Sequence, residues 1–229
     1  MPDFATRGGL ASRSSERKTH TMADSSDAPK QMSLSDVPVV FLDVETTGLD
    51  ATVHEIIEIG IVDVPGAVLL DQKYTPQDLS VATEEALTIN GYKDHPELWD
   101  GAPTLDAAEA TRILDVLDGK LVVAQKPYFD LGFVREALRR AGVDASSLRR
   151  HAIDTTTLIW EHLTPCGIEK LSLEPACEFL SIPLDRGERH SALRDAQAVR
   201  VVYLMLLRAT EEQRFGWRDQ FRQRQLSRE

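Results

Sequence analysis

Two carboxylates follow directly on an apolar run near the start of the sequence. Residues 37–42 read Val-Pro-Val-Val-Phe-Leu, and Asp43 and Glu45 come next. The run is typical of a buried strand, and side chains alternate along a strand, so both carboxylates project from one face. Two like charges there repel each other and are costly to desolvate, and a bound divalent cation relieves both problems. The alternative is a strand end that simply emerges into solvent.

Two further acids and one histidine are placed by helical periodicity. Asp130 precedes a pair of apolar residues by three and four positions, which puts it on the apolar face of a helix. The alternative for Asp130 is an ordinary first-turn acid that favours the helix dipole. Asp195 lies on the apolar stripe of the last core helix, just inside its N-cap Ser191. His190 precedes that cap, in a loop from which its imidazole can point toward the carboxylate.

The donor set indicates which cation would bind. Carboxylate oxygens at four positions favour Mg²⁺ or Mn²⁺, and the chain lacks the Cys/His spacing of a structural zinc site. The two cysteines, Cys166 and Cys177, form no C-x-x-C pair and are interpreted as reduced thiols. A net charge of −11 argues against a protein that coats nucleic acid passively, but is compatible with an enzyme that collects carboxylates to hold metal ions.

The elements that must position these side chains follow an α/β pattern. Five strands are predicted, the first three forming an antiparallel start, at 37–43, 55–63, 67–74, 121–124 and 151–154. Helices are predicted at 83–89, 105–117, 129–141, 155–163, 170–180 and 192–208. The sequence therefore predicts a mixed five-stranded sheet flanked by helices.

The chain divides into three parts by composition. Residues 1–35 are polar and without hydrophobic periodicity, and are predicted to be a disordered leader. Residues 36–210 are predicted to form the catalytic domain, and residues 211–229 a charged C-terminal tail or helix. No apolar run reaches the ~18 residues of a membrane span, and the N-terminus has no signal-peptide core. A cytoplasmic location without membrane contact is the expectation.

Three motifs resemble those of the DEDDh, or DnaQ-like, exonucleases, a family that includes the proofreading subunit of bacterial replicative DNA polymerase, ribonuclease T and oligoribonuclease. The first motif is Asp43-Val-Glu45-Thr-Thr-Gly-Leu49, which is close to the family pattern D-x-E-T-T-G. The second is Phe129-Asp130 at the start of a helix, and the third is His190-Ser-Ala-Leu-Arg-Asp195. The resemblance covers roughly residues 37–208 and implies an RNase H-like fold.

The resemblance also implies a mechanism. Two Mg²⁺ or Mn²⁺ ions about 3.5–4 Å apart would clamp the phosphate, with Asp43 bridging them. Glu45 and Asp195 would complete the ion that activates water, Asp130 would serve the other ion, and His190 would be the general base. The implied activity is 3′→5′ removal of nucleoside 5′-monophosphates from single-stranded nucleic acid. The residues expected to contact the terminal nucleotide are Val44, Thr46, Thr47, Leu49, Phe129 and His190.

The substrate and the partners have several possible assignments. DNA ends in proofreading or repair are the first expectation, with a DNA polymerase subunit as a possible partner. Short RNA or tRNA 3′ ends are the alternative within the same chemistry. An inactive domain that binds nucleic acid or a polymerase is the alternative of another class, and an RNase H-like endonuclease is a third. The intact set of four acids and His190, together with the first motif, favours the exonuclease.

Two positions depart from the family pattern. Gln125-Lys126 stands where relatives often have His-Asn, and this difference is expected to affect substrate preference or rate. Asn90-Gly91-Tyr92 stands where relatives often have His-Gly-Ile. Neither departure removes a residue of the expected metal site.

Overall fold

The computed structural model describes residues 36–184 and 190–227. The predicted leader at 1–35 lies outside the described residues, as do the last two residues of the predicted tail. In the part of the chain that is described, no helix is both long and apolar enough to cross a membrane. Cys166 and Cys177 are both buried free thiols.

A five-stranded mixed sheet forms the centre of the fold. Its strands, in chain order, are β1 (Val39–Thr46), β2 (Ile56–Asp63), β3 (Val68–Lys73), β4 (Leu121–Ala124) and β5 (Ala152–Asp154). Their spatial order is β3-β2-β1-β4-β5, and β2 is antiparallel to both of its neighbours, β1 and β3. β4 runs parallel to β1, and β5 runs parallel to β4. The predicted sheet is thus confirmed.

β1 extends further than the sequence predicts. The predicted strand ends at Asp43, whereas the observed one continues to Thr46 because its pairing with β2 continues as far as Thr46 and Ile56. The register shifts between Glu45 and Thr46, which marks a β-bulge. Bulges re-aim side chains and are common beside active sites.

Within residues 36–184 and 190–227, seven α-helices accompany this sheet. They are α1 (Glu84–Ile89), α2 (Ala107–Leu117), α3 (Pro127–Arg140), α4 (Thr155–Leu163), α5 (Leu173–Leu180), α6 (Ala192–Leu206) and α7 (Glu211–Leu226). α3 begins two residues before the predicted 129, since proline suits the first helical position. α2 begins two residues after the predicted 105, because the carboxylate of Asp106 accepts the amides of Ala108 and Glu109 as N-cap. The helix predicted at 170–180 is wrong in its first three residues, because α5 begins at Leu173, after the N-cap Ser172.

The sheet has a different helical layer on each face. Val40, Leu42 and Val44 belong to the core that includes α2 and α3. Phe41, on the opposite face of β1, packs with α6, and its ring lies 5.4 Å from that of Tyr203. By the alternation of the strand, Asp43 and Glu45 continue the row of Phe41 on the α6 side. The predicted common face of the two carboxylates is therefore the face covered by α6.

α7 forms a helix in the region predicted as a tail or helix. Thr210 and Gln213 form a capping box at its start. Near its end the ring of Phe221 stacks on Phe179 of α5 with centroids 4.8 Å apart. Arg224 donates to the backbone carbonyls of Phe179 and Glu178, which lie in the last turn of α5. α7 is thus attached to α5 by an aromatic stack and by hydrogen bonds from Arg224 to carbonyls at the C-terminal end of α5.

Candidate active site

Glu45 and Asp195 meet where the end of β1 faces the first turn of α6. The side chain of Glu45 is buried, and that of Asp195 is 17% exposed. His190 lies just before α6 and is 56% exposed, with its Nδ1 3.0 Å from Asp195 Oδ2. Potential ligand atoms of these three residues all lie within 4.8 Å of one another. The structure therefore brings two of the predicted acids and the predicted base into one cluster.

The contact between His190 and Asp195 determines which ring nitrogen can act as a base. A carboxylate oxygen only accepts hydrogen bonds, so Nδ1 carries the proton that it donates to Asp195. The lone pair of the neutral imidazole is then on Nε2. This hydrogen bond, followed by the negative charges of Asp195 and Glu45, raises the pKa of His190 above 6.5, although partial burial opposes the shift.

Asp130 approaches the same strand end from the other helical layer. It lies in the first turn of α3, is 3% exposed, and accepts the backbone N–H of Val44 at 3.1 Å. The pairing of β4 with β1 stops at Phe41, so the amide of Val44 lies beyond the partner strand. The Asp130 carboxylate takes the place of a ladder acceptor for this amide, between Asp43 and Glu45 in sequence.

The electrostatics of Asp43, Glu45 and Asp130 fit a divalent cation. Burial, and then the charges of Asp130 and Glu45, raise the pKa of Asp43 well above its usual range. Burial, and then Asp195, raise the pKa of Glu45 to about 8. Burial raises the pKa of Asp130 to about 8, with a smaller contribution from the charge of Asp154. Negative charge is thus unfavourable without a counter-ion, and the donors are the oxygens that Mg²⁺ and Mn²⁺ prefer.

The loop after β1 is held by its own threonines. Thr46 Oγ1 donates to the carbonyl of Gly48 at 2.7 Å, and Thr47 Oγ1 accepts the backbone N–H of Glu55 at 3.0 Å. Both threonines are buried, whereas Leu49 is 80% exposed. Among the predicted contact residues of this loop, Leu49 is thus the one with an exposed side chain, and the two hydroxyls form hydrogen bonds that fix the loop. A direct contact of Thr46 or Thr47 with substrate stays a prediction.

Two further predicted substrate contacts, Val44 and Phe129, are buried or partly buried in the hydrophobic core. Val44 is buried and packs in the core with α2 and α3. Phe129 is partly buried against the same core, with its ring 4.9 Å from that of Phe133. The neighbouring Tyr128, which the sequence did not single out, is 76% exposed at the start of α3. An aromatic ring at this position is suited to stacking on a base.

Asn90 lies between the end of β1 and the backbone of His190, and the sequence singled it out only as a departure from the family pattern. It is buried, and its Nδ2 donates to the carbonyl of Thr46 at 3.0 Å. The carbonyl of the preceding residue, Ile89, accepts the backbone N–H of His190 at 3.0 Å. The end of α1 therefore holds both the end of β1 and the backbone of the expected base. The sequence signal for this role was the position of Asn90, followed by Gly91, directly after the helix predicted at 83–89.

Gln125 has a structural role that the sequence did not predict. Its Nε2 donates to the carbonyl of Leu171 at 2.7 Å and to Thr156 Oγ1 at 3.1 Å, while its Oε1 accepts from Thr155 Oγ1 at 2.6 Å. The side chain thereby ties β4 to α4. Lys126 adopts a left-handed backbone with a φ of 64°, and its amide donates to Asp154 Oδ1 at 3.1 Å. An effect of Gln125 on substrate would therefore act through this framework.

Comparisons with known proteins identify relatives over most of the chain. A family model described as Exonuclease matches residues 40–203. The chain is 30% identical over 174 residues to a PolC-type DNA polymerase III of Thermotoga maritima, a match of 74% of this chain and 12% of the polymerase. It is 28% identical to a ribonuclease T of Shewanella frigidimarina, over 74% of this chain and 81% of that enzyme. It is 27% identical to a DNA polymerase III subunit epsilon of Rickettsia felis, over 76% and 75%.

Solved structures share the fold. E. coli exonuclease I in complex with a dT13 oligonucleotide matches 79% of this chain and 43% of its own, with a TM-score of 0.61 and 18% identity. The zinc-bound form of the complex of this exonuclease with single-stranded DNA matches with a TM-score of 0.59. The chain thus spans less than half of exonuclease I and about an eighth of the PolC-type polymerase. The expected RNase H-like architecture is confirmed.

Proposed function

Because the chain belongs to the DnaQ-like exonuclease family, we propose that it is a 3′→5′ exonuclease that removes nucleoside 5′-monophosphates from single-stranded DNA. The observation that carries the proposal is the cluster of Glu45, Asp195 and His190 within 4.8 Å. Asp130 supports it by anchoring to Val44 between the two acids of β1. Four buried or half-buried carboxylates next to an exposed histidine suit phosphodiester hydrolysis that depends on divalent cations.

Asp43, Glu45, Asp130 and Asp195 would hold two Mg²⁺ or Mn²⁺ ions. Bound there, the ions would supply the positive charge that a phosphodiester needs and would lower the pKa of water. This assignment explains why the fold collects carboxylates whose ionisation is otherwise unfavourable. It also explains how a chain with a net charge of −11 could accept a polyanion at one place.

His190 would act as the general base. Its Nε2 takes a proton from water, the water oxygen forms the new bond to phosphorus, and the bond from phosphorus to the 3′-oxygen breaks. The leaving 3′-oxygen takes a proton from solvent, and the product is a nucleoside 5′-monophosphate. The bond from Nδ1 to Asp195 keeps the ring oriented and maintains the tautomer that this step requires.

The direct test uses 5′-labelled single-stranded oligonucleotides with Mg²⁺ or Mn²⁺. We expect a ladder that shortens from the 3′ end and disappears in EDTA and in Asp43→Asn. The matched control is Asp115→Asn, which changes an exposed acid of α2 and is expected to leave the ladder unchanged. Full activity in EDTA or in Asp195→Ala would contradict the proposed mechanism. Cleavage of circular single-stranded DNA would identify an endonuclease instead.

RNA is the second candidate substrate, and the similarity to ribonuclease T favours testing it. Parallel reactions on DNA and RNA oligomers of the same sequence decide between the two. Preferred cleavage of DNA supports the proposal, and a preference for RNA of tenfold or more in kcat/KM would replace it with an exoribonuclease. A DNA polymerase subunit as partner, suggested by the similarity to an epsilon subunit, and a cytoplasmic location stay predictions.

We also propose that residues 36–210 contain all catalytic groups and that α7 serves an accessory role. Support comes from the matched family region, which ends at residue 203, before α7 begins. A chain that ends at Thr210 should keep its cleavage rate per folded molecule. A complete loss of activity in a folded truncation would show that α7 contributes to the site.

A further inference from the structure

Glu58 is a fully buried carboxylate for which the proposed catalysis has no use. It lies on β2 between isoleucines, with 0% exposure, and pairs across the ladder with Glu45. An ionisable group in such a place is costly unless it is paired and hydrogen-bonded. A hydrophobic residue would pack in this core at lower cost, so the carboxylate is explained by polar contacts that a hydrophobic residue cannot make.

The carboxylate of Glu58 contacts the start of α6. Its Oε1 accepts the hydroxyl of Ser191 at 2.7 Å and the backbone N–H of Ala192 at 3.1 Å. Ser191 is the N-cap residue of α6, so an acid from the sheet satisfies the first amide of the helix. The other oxygen, Oε2, lies 3.2 Å from Lys73 Nζ on β3. Glu58 thus acts as an N-cap for α6 that is supplied by the neighbouring sheet.

Gly60 brings the same helix onto the same strand. A Cβ at Gly60 would lie 2.4 Å from the backbone N and Cα of Leu193, closer than side-chain atoms approach a backbone. Gly60 is two residues from Glu58 and therefore projects from the same face of β2. The first turn of α6 rests directly on the strand at this point. Glu58 and Gly60 together fix the position of that turn.

The segment held in this way is flanked by two residues of the proposed site. His190 comes just before the contacted residues 191–193, and Asp195 comes just after them. Glu45, with which both must meet, is the cross-strand neighbour of Glu58. One carboxylate on β2 therefore connects the strand that carries Glu45 to the helix end that carries the other two groups.

We propose that Glu58 is a positioning residue that holds the His190–Asp195 pair against Glu45. The inference rests on the proposed function. Because Glu58 is fully buried, it would act through its contacts with Ser191 and Ala192. Its removal should loosen the alignment of Asp195 with Glu45, so that a cation binds less tightly and His190 is less well aimed.

The test compares Glu58→Gln with the unchanged chain. Glutamine keeps the size and one carbonyl oxygen, but it weakens the contacts to Lys73 and to the helix start. Partners behind metal ligands typically contribute about 10- to 100-fold in metal affinity or activity. We expect the Mg²⁺ concentration for half-maximal cleavage to rise about 10-fold, with KM for the oligonucleotide within about twofold. Ser191→Ala, a milder change, should shift the Mg²⁺ requirement in the same direction by a smaller factor.

Two comparisons separate positioning from loss of fold. Glu109→Gln removes a half-buried acid of α2 that faces Tyr74 and Arg112, and it should leave the Mg²⁺ requirement unchanged. A merely destabilised protein would lower the rate at every Mg²⁺ concentration without moving the half-maximal point. An unchanged half-maximal concentration in folded Glu58→Gln, measured on an active parent, would overturn the inference.

Calorimetric titration with Mn²⁺ in the absence of nucleic acid provides a readout that does not depend on cleavage. Weaker Mn²⁺ binding by Glu58→Gln supports the positioning role even if the parent cleaves none of the oligonucleotides offered. Equal Mn²⁺ binding by the parent and the variant contradicts it. A parent that binds Mn²⁺ but cleaves nothing contradicts the proposed function. In that case the titration alone tests whether Glu58 positions Asp195.

Discussion

Replacing Glu45 by glutamine should stabilise the metal-free protein while abolishing its activity. Burial and the charge of Asp195 raise the pKa of this carboxyl from 4.5 to about 8 in the fold. Between these two pH values the folded state keeps a proton that the unfolded state releases. The free energy of unfolding therefore falls as the pH rises from 4.5 towards 8, and glutamine, which cannot ionise, escapes this loss.

The size of the effect follows from the pKa difference. Each pKa unit corresponds to about 1.4 kcal/mol, so a carboxyl that titrated alone would cost roughly 5 kcal/mol at pH 8. Asp43 and Asp195 share the repulsion with Glu45, and they remain in the variant. We therefore expect Glu45→Gln to gain about 2 kcal/mol at pH 8, which corresponds to a rise in Tm of about 4–8 °C for a domain of this size.

Thermal unfolding in EDTA, followed by circular dichroism at pH 8 and pH 5, measures this gain. At pH 5 the difference should shrink to less than about 1 kcal/mol, since little of the loss has developed there. The matched control is Glu161→Gln, an exposed position on α4, which should melt with the parent at both pH values. Added Mn²⁺ should raise the Tm of the parent far more than that of Glu45→Gln. If the variant melted at or below the parent in EDTA at pH 8, the repulsion argument would be wrong.

Other substitutions probe the remaining parts of the site. His190→Gln should lower kcat by about 100- to 10,000-fold and keep the Mn²⁺-induced rise in Tm, because the ring is assigned to proton transfer; loss of that rise would assign it to the metal. In the parent, kcat/KM should decrease on the acidic side of the pH profile with a midpoint above pH 6.5, because the hydrogen bond to Asp195 raises the pKa of His190. A midpoint at or below pH 6.5 contradicts this. Asn90→Ala leaves the buried carbonyl of Thr46 without its donor and should cost about 1–3 kcal/mol in urea unfolding. Because Phe221 is only half-buried, Phe221→Ala should cost about 1–3 kcal/mol but leave the rate per folded molecule unchanged.

The placement of the acids on their elements followed from the sequence because it depends on local periodicity. The alternation of β1 put Asp43 and Glu45 on one face, and helical spacing put Asp130 on the inner side of α3, where it is 3% exposed. The order of strands and helices was also predicted correctly, but some element ends were not, such as the end of β1 at Thr46 and the start of α3 at Pro127. Those ends depend on pairing with another strand and on capping, which the hydrophobic pattern does not encode.

The contacts that complete the site were decided by the tertiary structure. Asp130 reaches the amide of Val44 because β4 stops pairing at Phe41, and Asn90 reaches Thr46 across more than forty residues. Glu58 reads in the sequence as one polar residue in an apolar strand, and only the packing of α6 on β2 supplies it with partners. Periodicity fixes the direction in which a side chain leaves its own element. The partner that the side chain contacts depends on which distant segments of the chain pack together, and short-range sequence patterns do not specify that packing.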